Sequence, residues 1–550
     1  MRPDGAELPR QSHTELVIGL VAAIGTDLDA VAQAFDRELK AYAYSTESLR
    51  LSEFLPALSW PNSRILPRAP YDVRVWAAMD AGDDLRRDWE RGDALALLAI
   101  SAIERSRFDE AKKFGKEIDP TLGPPTIDRR AWILRSLKTP EEVSTMRDIY
   151  GPRFFLVGVH MNEDQRIRSL RAQIRDSRPN DAEAEWDHAP SQLIDRDWKE
   201  ERSRGQNVSD TFSQSDFFVT ANDNKKVRAD IRRILRLIFG DPYVTPSRDE
   251  YAMFLAAGGA RRSAEPGRQV GAAIVNIEGS VLSLGTNEVP RGGGGAYWEG
   301  DPDDRREFTL TKETNRLHQE RITERILAIV EKRFDSAATE VGLRTTATNA
   351  RFKQRLLDEL PSAVMKEGRV GELTEFGRAT HAEMSALLDC SRRGVAVQGA
   401  SLMTYTFPCH NCARHIVEAG ISRVVFVEPY AKSLALELHD DAIELSGRNG
   451  SGNATRPVSF TPFSGVAPRR YLQLFDARWR EARGYPSRKD GDGRPIEFEQ
   501  LMSGAMPVIT DIESEDLRPR VPVYRSRERR AIDLLQEIFE ATEFAMEEER

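Results

Sequence analysis

One short pattern in the second half of the chain limits what this part of the protein can be. His381-Ala382-Glu383 is followed, after twenty-four residues, by Pro408-Cys409-His410-Asn411-Cys412. One histidine and two cysteines supply three ligands for a tetrahedral Zn²⁺ and leave a fourth position open for water. A glutamate two residues after the histidine is close enough to move protons on that water. The pattern predicts that His381, Cys409 and Cys412 bind Zn²⁺ and that Glu383 is catalytic.

A structural zinc site is the alternative. Structural sites are closed by four protein ligands, and His410 and His415 are the nearby residues that could supply the fourth. His410, however, lies between the two cysteines at the start of a predicted helix, where its side chain would point away from them. The open, catalytic site is therefore favoured.

The two halves of the pattern are each expected at a helix N-terminus. Helix N-termini carry positive partial charge, which lowers the pKa of a cysteine and favours the thiolate that binds metal. Cys409 follows a predicted strand over 401–407, and Cys412 lies three residues further, on the same helix face. Glu383 would take a proton from the water and pass it to the substrate.

Composition describes an ordinary globular protein of two or three domains. The 550 residues are 40% hydrophobic and 30% charged. The net charge of −9 gives no support for broad binding to nucleic acid. With three cysteines, two of them assigned to metal, no disulfide framework is expected, and Cys390 is predicted to be a buried small side chain.

The chain is predicted to be cytoplasmic. It has no stretch of about eighteen apolar residues, and its first residues lack the apolar centre of a signal peptide.

Residues 15–240 are predicted to form a parallel α/β domain. An apolar strand over 15–23 runs into Gly25, Thr26 and Asp27 and then an amphipathic helix from about residue 28, the way a P-loop domain begins. Further strands are predicted over 130–137, 154–159 and 217–219. Thr139 is expected to cap a helix, and 163–204 to form a charged helical lid or hairpin.

Residues 245–480 are predicted to form a second α/β domain. Two strands over 271–275 and 280–284 are joined by a turn, and strands over 401–407 and 423–428 flank the cysteine helix. A charged helical insertion is expected at about 297–372. Residues 481–550 are treated as a C-terminal extension whose acidic end, from 537, forms a surface helix.

The zinc pattern resembles that of zinc-dependent cytosine and adenine deaminases. The residues before it resemble the start of deoxycytidylate deaminases: Arg261-Arg262-Ser263, then Arg268-Gln269-Val270-Gly271-Ala272, and then Gly285-Thr286-Asn287-Glu288-Val289-Pro290-Arg291-Gly292. This resemblance covers about 248–430 and implies a cytidine deaminase-like α/β/α fold. It also implies that Asn287 contacts the sugar, that Arg262, Arg268 and Arg291 are candidates for the phosphate, and that the backbone of Ala382 contacts the pyrimidine.

The whole chain resembles bacterial anti-phage dCTP deaminases, in which a P-loop kinase-like domain precedes a deoxycytidylate deaminase domain. The similar segments are VIGLVAAIGTDL from Val17, ILRSLKTPEEV from Ile133 and GQNVSDTFSQSDFF from Gly205. The resemblance implies deamination of dCTP, with or without dCMP, and depletion of dCTP during infection. It further implies a homo-oligomer, with a hexamer as the expected size, and control by a regulatory nucleotide, an inhibitory RNA or a phage trigger.

The first domain departs from a functional P-loop. A Walker A loop has the form G-x-x-x-x-G-K-[ST], whereas Gly25 is followed here by Thr26 and Asp27. Without the lysine, kinase or NTPase activity is not expected. Gly19, Gly25, Thr26 and Asp27 remain candidates for binding a nucleotide without turnover, beside a purely structural role.

Three other functions remain open. One is a housekeeping deaminase that supplies dUMP from dCMP. A nucleic-acid-editing deaminase would need a basic face or interleaved aromatic residues, which the sequence does not show. A regulator with an inert deaminase domain is disfavoured by the intact His, Glu and Cys pattern.

Overall fold

The structure is a computed structural model. It describes residues 15–58, 66–68, 70–182, 185–198, 205–310, 313–340, 347–428, 433–445, 457–481, 487–489, 492–495 and 523–548. Within these ranges, no helix combines the length and the apolar character needed to cross a membrane.

The chain divides into two compact units. The first is built from residues within 1–251 and 462–550, and the second from residues within 252–445 and 450–461. The sequence had placed the end of the second domain at 480. The division differs because the chain after 462 returns to the first unit, where the short strand Gly465–Val466 pairs with Phe217 and Phe218.

The first unit contains a six-stranded sheet in the order β2-β3-β1-β4-β5-β12. The first five strands of that order are parallel, and only β12 is antiparallel to its neighbour. The strands are β1 Leu16–Val21, β2 Ser45–Arg50, β3 Arg130–Arg135, β4 Phe154–His160, β5 Phe217–Thr220 and β12 Gly465–Val466.

The central strands are continuous apolar runs because helices cover both faces of a parallel sheet. All six residues of β1 are buried. Strand β2, with the sequence STESLR, was not predicted: it lies at the sheet edge, is partly exposed and lacks an apolar run. The helices of this unit are Leu28–Leu39, Tyr71–Asp88, Ala94–Lys113, Pro140–Tyr150, Glu163–Ser177, Ala189–Trp198, Val208–Ser213, Asn224–Ile238, Pro468–Phe475, Ala477–Glu481 and Val523–Glu548.

Several local predictions for this unit are confirmed. Thr139 and Glu142 form a capping box at the start of Pro140–Tyr150. The charged segment after 163 contains the helices Glu163–Ser177 and Ala189–Trp198.

The C-terminal helix Val523–Glu548 differs from the predicted surface helix. It begins earlier, and its first turns are buried in the first unit through Tyr524, Ile532 and Leu535. Buried Arg107 forms ion pairs with both Glu15 and Glu528, at 2.8 Å in the second case. The predicted surface helix from 537 is present as far as 548, and Glu537 and Glu540 are exposed. The sequence missed only the buried start of the helix, because its partners lie about four hundred residues earlier in the chain.

The second unit contains a six-stranded sheet in the order β10-β11-β9-β8-β6-β7. Strand β6 is antiparallel to β7 and β8, whereas β8 and β9 are parallel. The strands are β6 Gly271–Val275, β7 Val281–Thr286, β8 Ser401–Thr406, β9 Arg423–Glu428, β10 Ile443–Leu445 and β11 Val458–Pro462.

Two helices of this unit carry the residues of the zinc pattern. They are Ala382–Arg393 and His410–Glu418, and the second directly follows β8 as expected. Helix Arg248–Ala260 belongs to this unit from residue 252 onward. The predicted insertion consists mainly of the helices Thr314–Glu340 and Ala347–Lys366. Both units are thus mixed α/β, which confirms the predicted α/β class.

Candidate metal and active site

Two helix N-termini bring the predicted ligands together. His381 is the N-cap residue of Ala382–Arg393, and Cys409 is the N-cap residue of His410–Glu418. Neither side chain caps its own helix by a hydrogen bond. Both are therefore free to point toward a shared centre, where the N-terminal ends of two helices favour anionic ligands.

The ligand atoms of three residues converge. His381 Nδ1 lies 3.4 Å from Cys409 Sγ and 3.4 Å from Cys412 Sγ, and all three atoms are within 4.8 Å of one another. One nitrogen and two sulfurs are a ligand set that Zn²⁺ prefers, with an open fourth position. In the part of the chain that the structure describes, this is the one group of three or more such residues with metal-binding spacing. The residues therefore fit the metal.

The three predicted ligands affect one another's pKa values. The pKa of Cys409 is lowered to about 4, first because Cys412 shares a hydrogen bond with it and then because His381 does. The pKa of Cys412 is raised, mainly because the Cys409 thiolate holds its proton. The hydrogen bond to Cys409 likewise raises the pKa of His381. The lowered pKa favours the thiolate form of Cys409, which is the form that binds a metal ion.

Glu383 lies beside the cluster and is buried, with 5% of its surface exposed. Its Oε2 is 3.6 Å from Cys412 Sγ. Burial raises the pKa of its carboxyl. A desolvated carboxyl next to a metal site is the arrangement expected of a proton carrier.

The helix that carries His381 and Glu383 packs unusually close to β7. A Cβ atom placed on Gly285 would lie 1.9 Å from the backbone oxygen of Ala382 and 2.6 Å from the backbone nitrogen of Ala386. Glycine is therefore required at the start of the Gly285-Thr286-Asn287 motif because a helix backbone occupies the space of a side chain. Ala382 itself is fully buried.

The predicted substrate residues all have partners within the protein. The side chain of Asn287 accepts a hydrogen bond from Val270 N at 2.7 Å and donates one to the Arg268 carbonyl at 2.6 Å. In this structure Asn287 fixes the turn that precedes β6. A contact with a sugar would have to be made in addition to these bonds or in exchange for them.

The three arginine candidates are likewise engaged. Arg262 donates to the carbonyl oxygens of residues 296 and 297 and lies over the ring of Trp298, 3.6 Å from its centre. Arg268 forms an ion pair with Glu428, and Arg291 pairs with Asp301 at 3.1 Å. The side chains of Arg268 and Arg291 are about half exposed, so these two are the more accessible to a phosphate.

Glu265 is a residue that the sequence did not single out. Burial, together with Glu288, Glu307 and Glu313, raises its pKa to about 7. One of its carboxyl oxygens is buried and has no hydrogen-bond partner among the described residues. The carboxylates that surround it come from three separate segments, so no local pattern indicated them.

The four nucleotide-binding candidates lie in the first unit. Gly19 is inside β1, where a Cβ would lie 2.6 Å from Leu137 Cδ1, so its small size serves packing. Gly25 has φ +85° and forms the turn after β1. Asp27 caps the helix Leu28–Leu39 by accepting from Ala30 N at 2.9 Å. The helix N-terminus that could have held an anion is thus filled by a carboxylate of the protein.

Comparison with known proteins finds similarity over a stretch that lies mostly in the second unit. Residues 246–428 match the family model described as the cytidine and deoxycytidylate deaminase zinc-binding region. A deoxycytidylate deaminase of Pongo abelii is 26% identical over 178 residues, which are 32% of this chain and 63% of that protein. ComE operon protein 2 of Bacillus subtilis (strain 168) is 42% identical over 62 residues, which are 10% of this chain and 33% of that protein.

The alignments thus span less than two thirds of these relatives. Among solved structures, the dCMP deaminase of the cyanophage S-TIM5 in complex with dCMP and dUMP is 15% identical. It covers 40% of this chain and 100% of its own, with a TM-score of 0.22, a value too low to support an argument. The family match agrees with the ligand geometry and confirms the predicted Zn²⁺ cofactor. Residues 246–428 are therefore similar to the zinc-binding region of cytidine and deoxycytidylate deaminases.

Proposed function

We propose that the protein is a zinc-dependent deaminase of deoxycytidine nucleotides, converting dCTP, dCMP or both to the uracil nucleotide and ammonia. The observation that carries the proposal is the convergence of His381, Cys409 and Cys412 beside the buried carboxyl of Glu383. A structural zinc site would need a fourth protein ligand, whereas the described part of this site offers three and an adjacent acid.

Glu383 is proposed to carry the protons in this reaction. When bound, Zn²⁺ would lower the pKa of a water molecule toward neutrality. Glu383 accepts a proton as the water oxygen adds to C4 of the pyrimidine, and it delivers that proton to ring N3. As the C4–N bond breaks, a proton passed by Glu383 leaves with ammonia and a C4 carbonyl remains. Burial of Glu383 keeps bulk water from exchanging these protons.

The choice of a deoxycytidine nucleotide is supported by the named relatives, which include deoxycytidylate deaminases. Arg268 and Arg291 are the favoured phosphate contacts because their side chains reach solvent while their partners hold them in place. The triphosphate preference, and the depletion of dCTP during phage infection, are supported by the resemblance of the whole chain to anti-phage dCTP deaminases. We propose a homo-oligomer on the same ground.

The first unit is proposed to control this activity. Its degenerate P-loop-like turn lacks the lysine that would stabilise a transferring phosphoryl group, so binding without hydrolysis is the expected behaviour. A ligand, an RNA or a phage product that favours one of two states of the protein would then switch the deaminase.

The test is ammonia release from a panel of cytosine nucleotides, assayed with purified zinc-loaded protein. We expect dCTP or dCMP to react and oligonucleotides to remain unchanged. Reaction with dCMP alone would favour the housekeeping role, and reaction with oligonucleotides alone would contradict the proposal.

Glu383→Gln is the matching variant. It should retain zinc while deamination falls by about 10²–10⁴-fold or more, since the proton carrier is lost and the ligands remain. Asp389→Asn, at the other end of the same helix, should react like the unmodified protein. A fully active Glu383→Gln protein would show that another group carries the proton.

A further inference from the structure

The first unit contains a large cleft at the carboxyl ends of its parallel strands. The cleft has a volume of about 1110 Å³. It is lined by residues at and after the ends of four strands: 22–29 after β1, 50–53 from the end of β2, Arg135, Ser136 and Lys138 from the end of β3, and Met161 after β4. In open parallel sheets, ligands bind in the crevice outside the carboxyl ends of the strands. The cleft therefore lies where sheets of this kind bind their ligands.

An anion-binding pair of groups lies inside this cleft. The backbone N–H of Ile24 donates a hydrogen bond of 2.7 Å to Asp197 Oδ2, and Lys138 Nζ lies 2.6 Å from Asp197 Oδ1. The Asp197 side chain is almost completely buried, at 1% exposed. Lys138 comes from the segment after β3, so it supplies a cation that the turn after β1 lacks.

Asp197 supplies the anion that these two donors bind in the structure. Each of its two oxygens takes one donor of the pair, one from the turn and one from the lysine. It belongs to the helix Ala189–Trp198, which also lines the cleft through this residue alone. A ligand that used the same donors would have to displace this carboxylate and, with it, the helix.

The rest of the lining fits a nucleotide-sized molecule. The cations Arg50, Arg74 and Arg135 line the cleft, where Asp29 pairs with Arg135 at 2.6 Å and with Arg50 at 3.5 Å. Apolar side chains line it as well, namely Leu51, Leu55, Leu66, Met79 and Leu95. A pocket that combines convergent polar groups with an apolar wall is typical of small-molecule sites.

We propose that this cleft binds a phosphorylated ligand of the size of a nucleoside triphosphate, and that Asp197 is a built-in competitor for the phosphate position at Ile24 N–H and Lys138. In the structure described here the competitor is in place. Ligand binding exchanges the carboxylate for a phosphate and releases the helix Ala189–Trp198. This inference rests on the ligand binding proposed above for the first unit and does not require the deaminase activity.

The first experiment measures binding of ATP to the full chain by isothermal titration calorimetry. ATP is used because a purine is not a substrate of a cytosine deaminase. Asp197→Asn keeps the size of the side chain but removes its charge, and we expect it to bind ATP at least about tenfold more tightly. Asp195→Asn, an exposed residue of the same helix, is the matched control and should bind like the unmodified protein.

The cation is tested in the Asp197→Asn background. Adding Lys138→Gln should abolish the gain in affinity, because the freed lysine is the group that would bind the phosphate. A parallel titration with inorganic tripolyphosphate shows whether the phosphates alone account for the affinity. If tripolyphosphate binds more weakly than ATP, the apolar side chains of the cleft supply the rest of the affinity. Equal affinities of Asp197→Asn and Asp195→Asn would overturn the proposal.

A second measurement uses the unmodified protein and so does not depend on the variant folding. Saturating ATP should increase amide hydrogen exchange in the helix Ala189–Trp198 and decrease it in the turn 22–27. Unchanged exchange in that helix at saturation would show that Asp197 is a structural ion pair. Zinc content and deamination are separate readouts, so failure here leaves the proposed reaction intact.

Discussion

Gly285→Ala should damage the zinc site although it changes no ligand. The new Cβ would lie 1.9 Å from the Ala382 backbone oxygen, and an ordinary contact of 3.4 Å requires a movement of about 1.5 Å. The atoms in the way are helix backbone, so no flexible side chain can make room. Metal–ligand distances tolerate deviations of only about 0.2 Å, and His381 directly precedes Ala382. We expect most of the bound zinc to be lost.

The same substitution should also lower stability. Overpacking of this kind costs about 1–3 kcal/mol or more, and each kcal/mol lowers the unfolding temperature of a unit of this size by about 2–4 °C. Zinc is measured by atomic absorption and unfolding by calorimetry. Gly258→Ala is the matched control: it lies in a helix with open space around the added Cβ, and it should stabilise by about 0.5–1 kcal/mol. Full zinc occupancy with an unchanged unfolding temperature in Gly285→Ala would refute the packing argument.

Three further predictions concern the ligands, the phosphate contacts and the C-terminal helix. Cys409→Ser should lose nearly all zinc by metal analysis, and full occupancy would reject the ligand set. Alanine at Arg262, Arg268 and Arg291 in turn should raise KM for dCTP in at least one case while sparing the phosphate-free nucleoside; wild-type kinetics in all three would place the phosphate elsewhere. Arg107→Ala leaves two buried carboxylates without their cation and should cost about 3–5 kcal/mol in denaturant unfolding, where a loss below 1 kcal/mol would contradict a closed ion pair.

The features that the sequence predicted are local ones. Strands β1, β4 and β6 are continuous runs of buried residues. The zinc pattern is a fixed set of residues placed at the starts of two helices. Thr139 and Glu142 cap a helix within four residues. The capping residues are neighbours in sequence, whereas His381 and the two cysteines are 28 and 31 residues apart and were recognised by the fixed pattern that they form.

The features that escaped prediction depend on distant partners. Strand β2 is recognisable only from its position beside β3, and β12 only from its pairing with Phe217 and Phe218. The internal partners of Arg268 and Arg291 turn two surface charges into ordered groups. The placement of Asp197 on Ile24 N–H joins residues 173 positions apart, and no composition or spacing indicates it.

The return of the chain to the first unit has a consequence for how the protein is made. A ribosome completes β1 to β5 long before it reaches β12 and the helix Val523–Glu548, and at about 5–20 residues per second the delay is on the order of tens of seconds. During that time Arg107 lacks Glu528, and the surface that later packs against Tyr524 is open. The zinc-bearing unit, by contrast, emerges in one stretch and has all its strands by residue 462. Newly made chains should therefore acquire a metal-competent second unit before the first is closed, and a fragment ending at 240 would keep the first unit in its unfinished state.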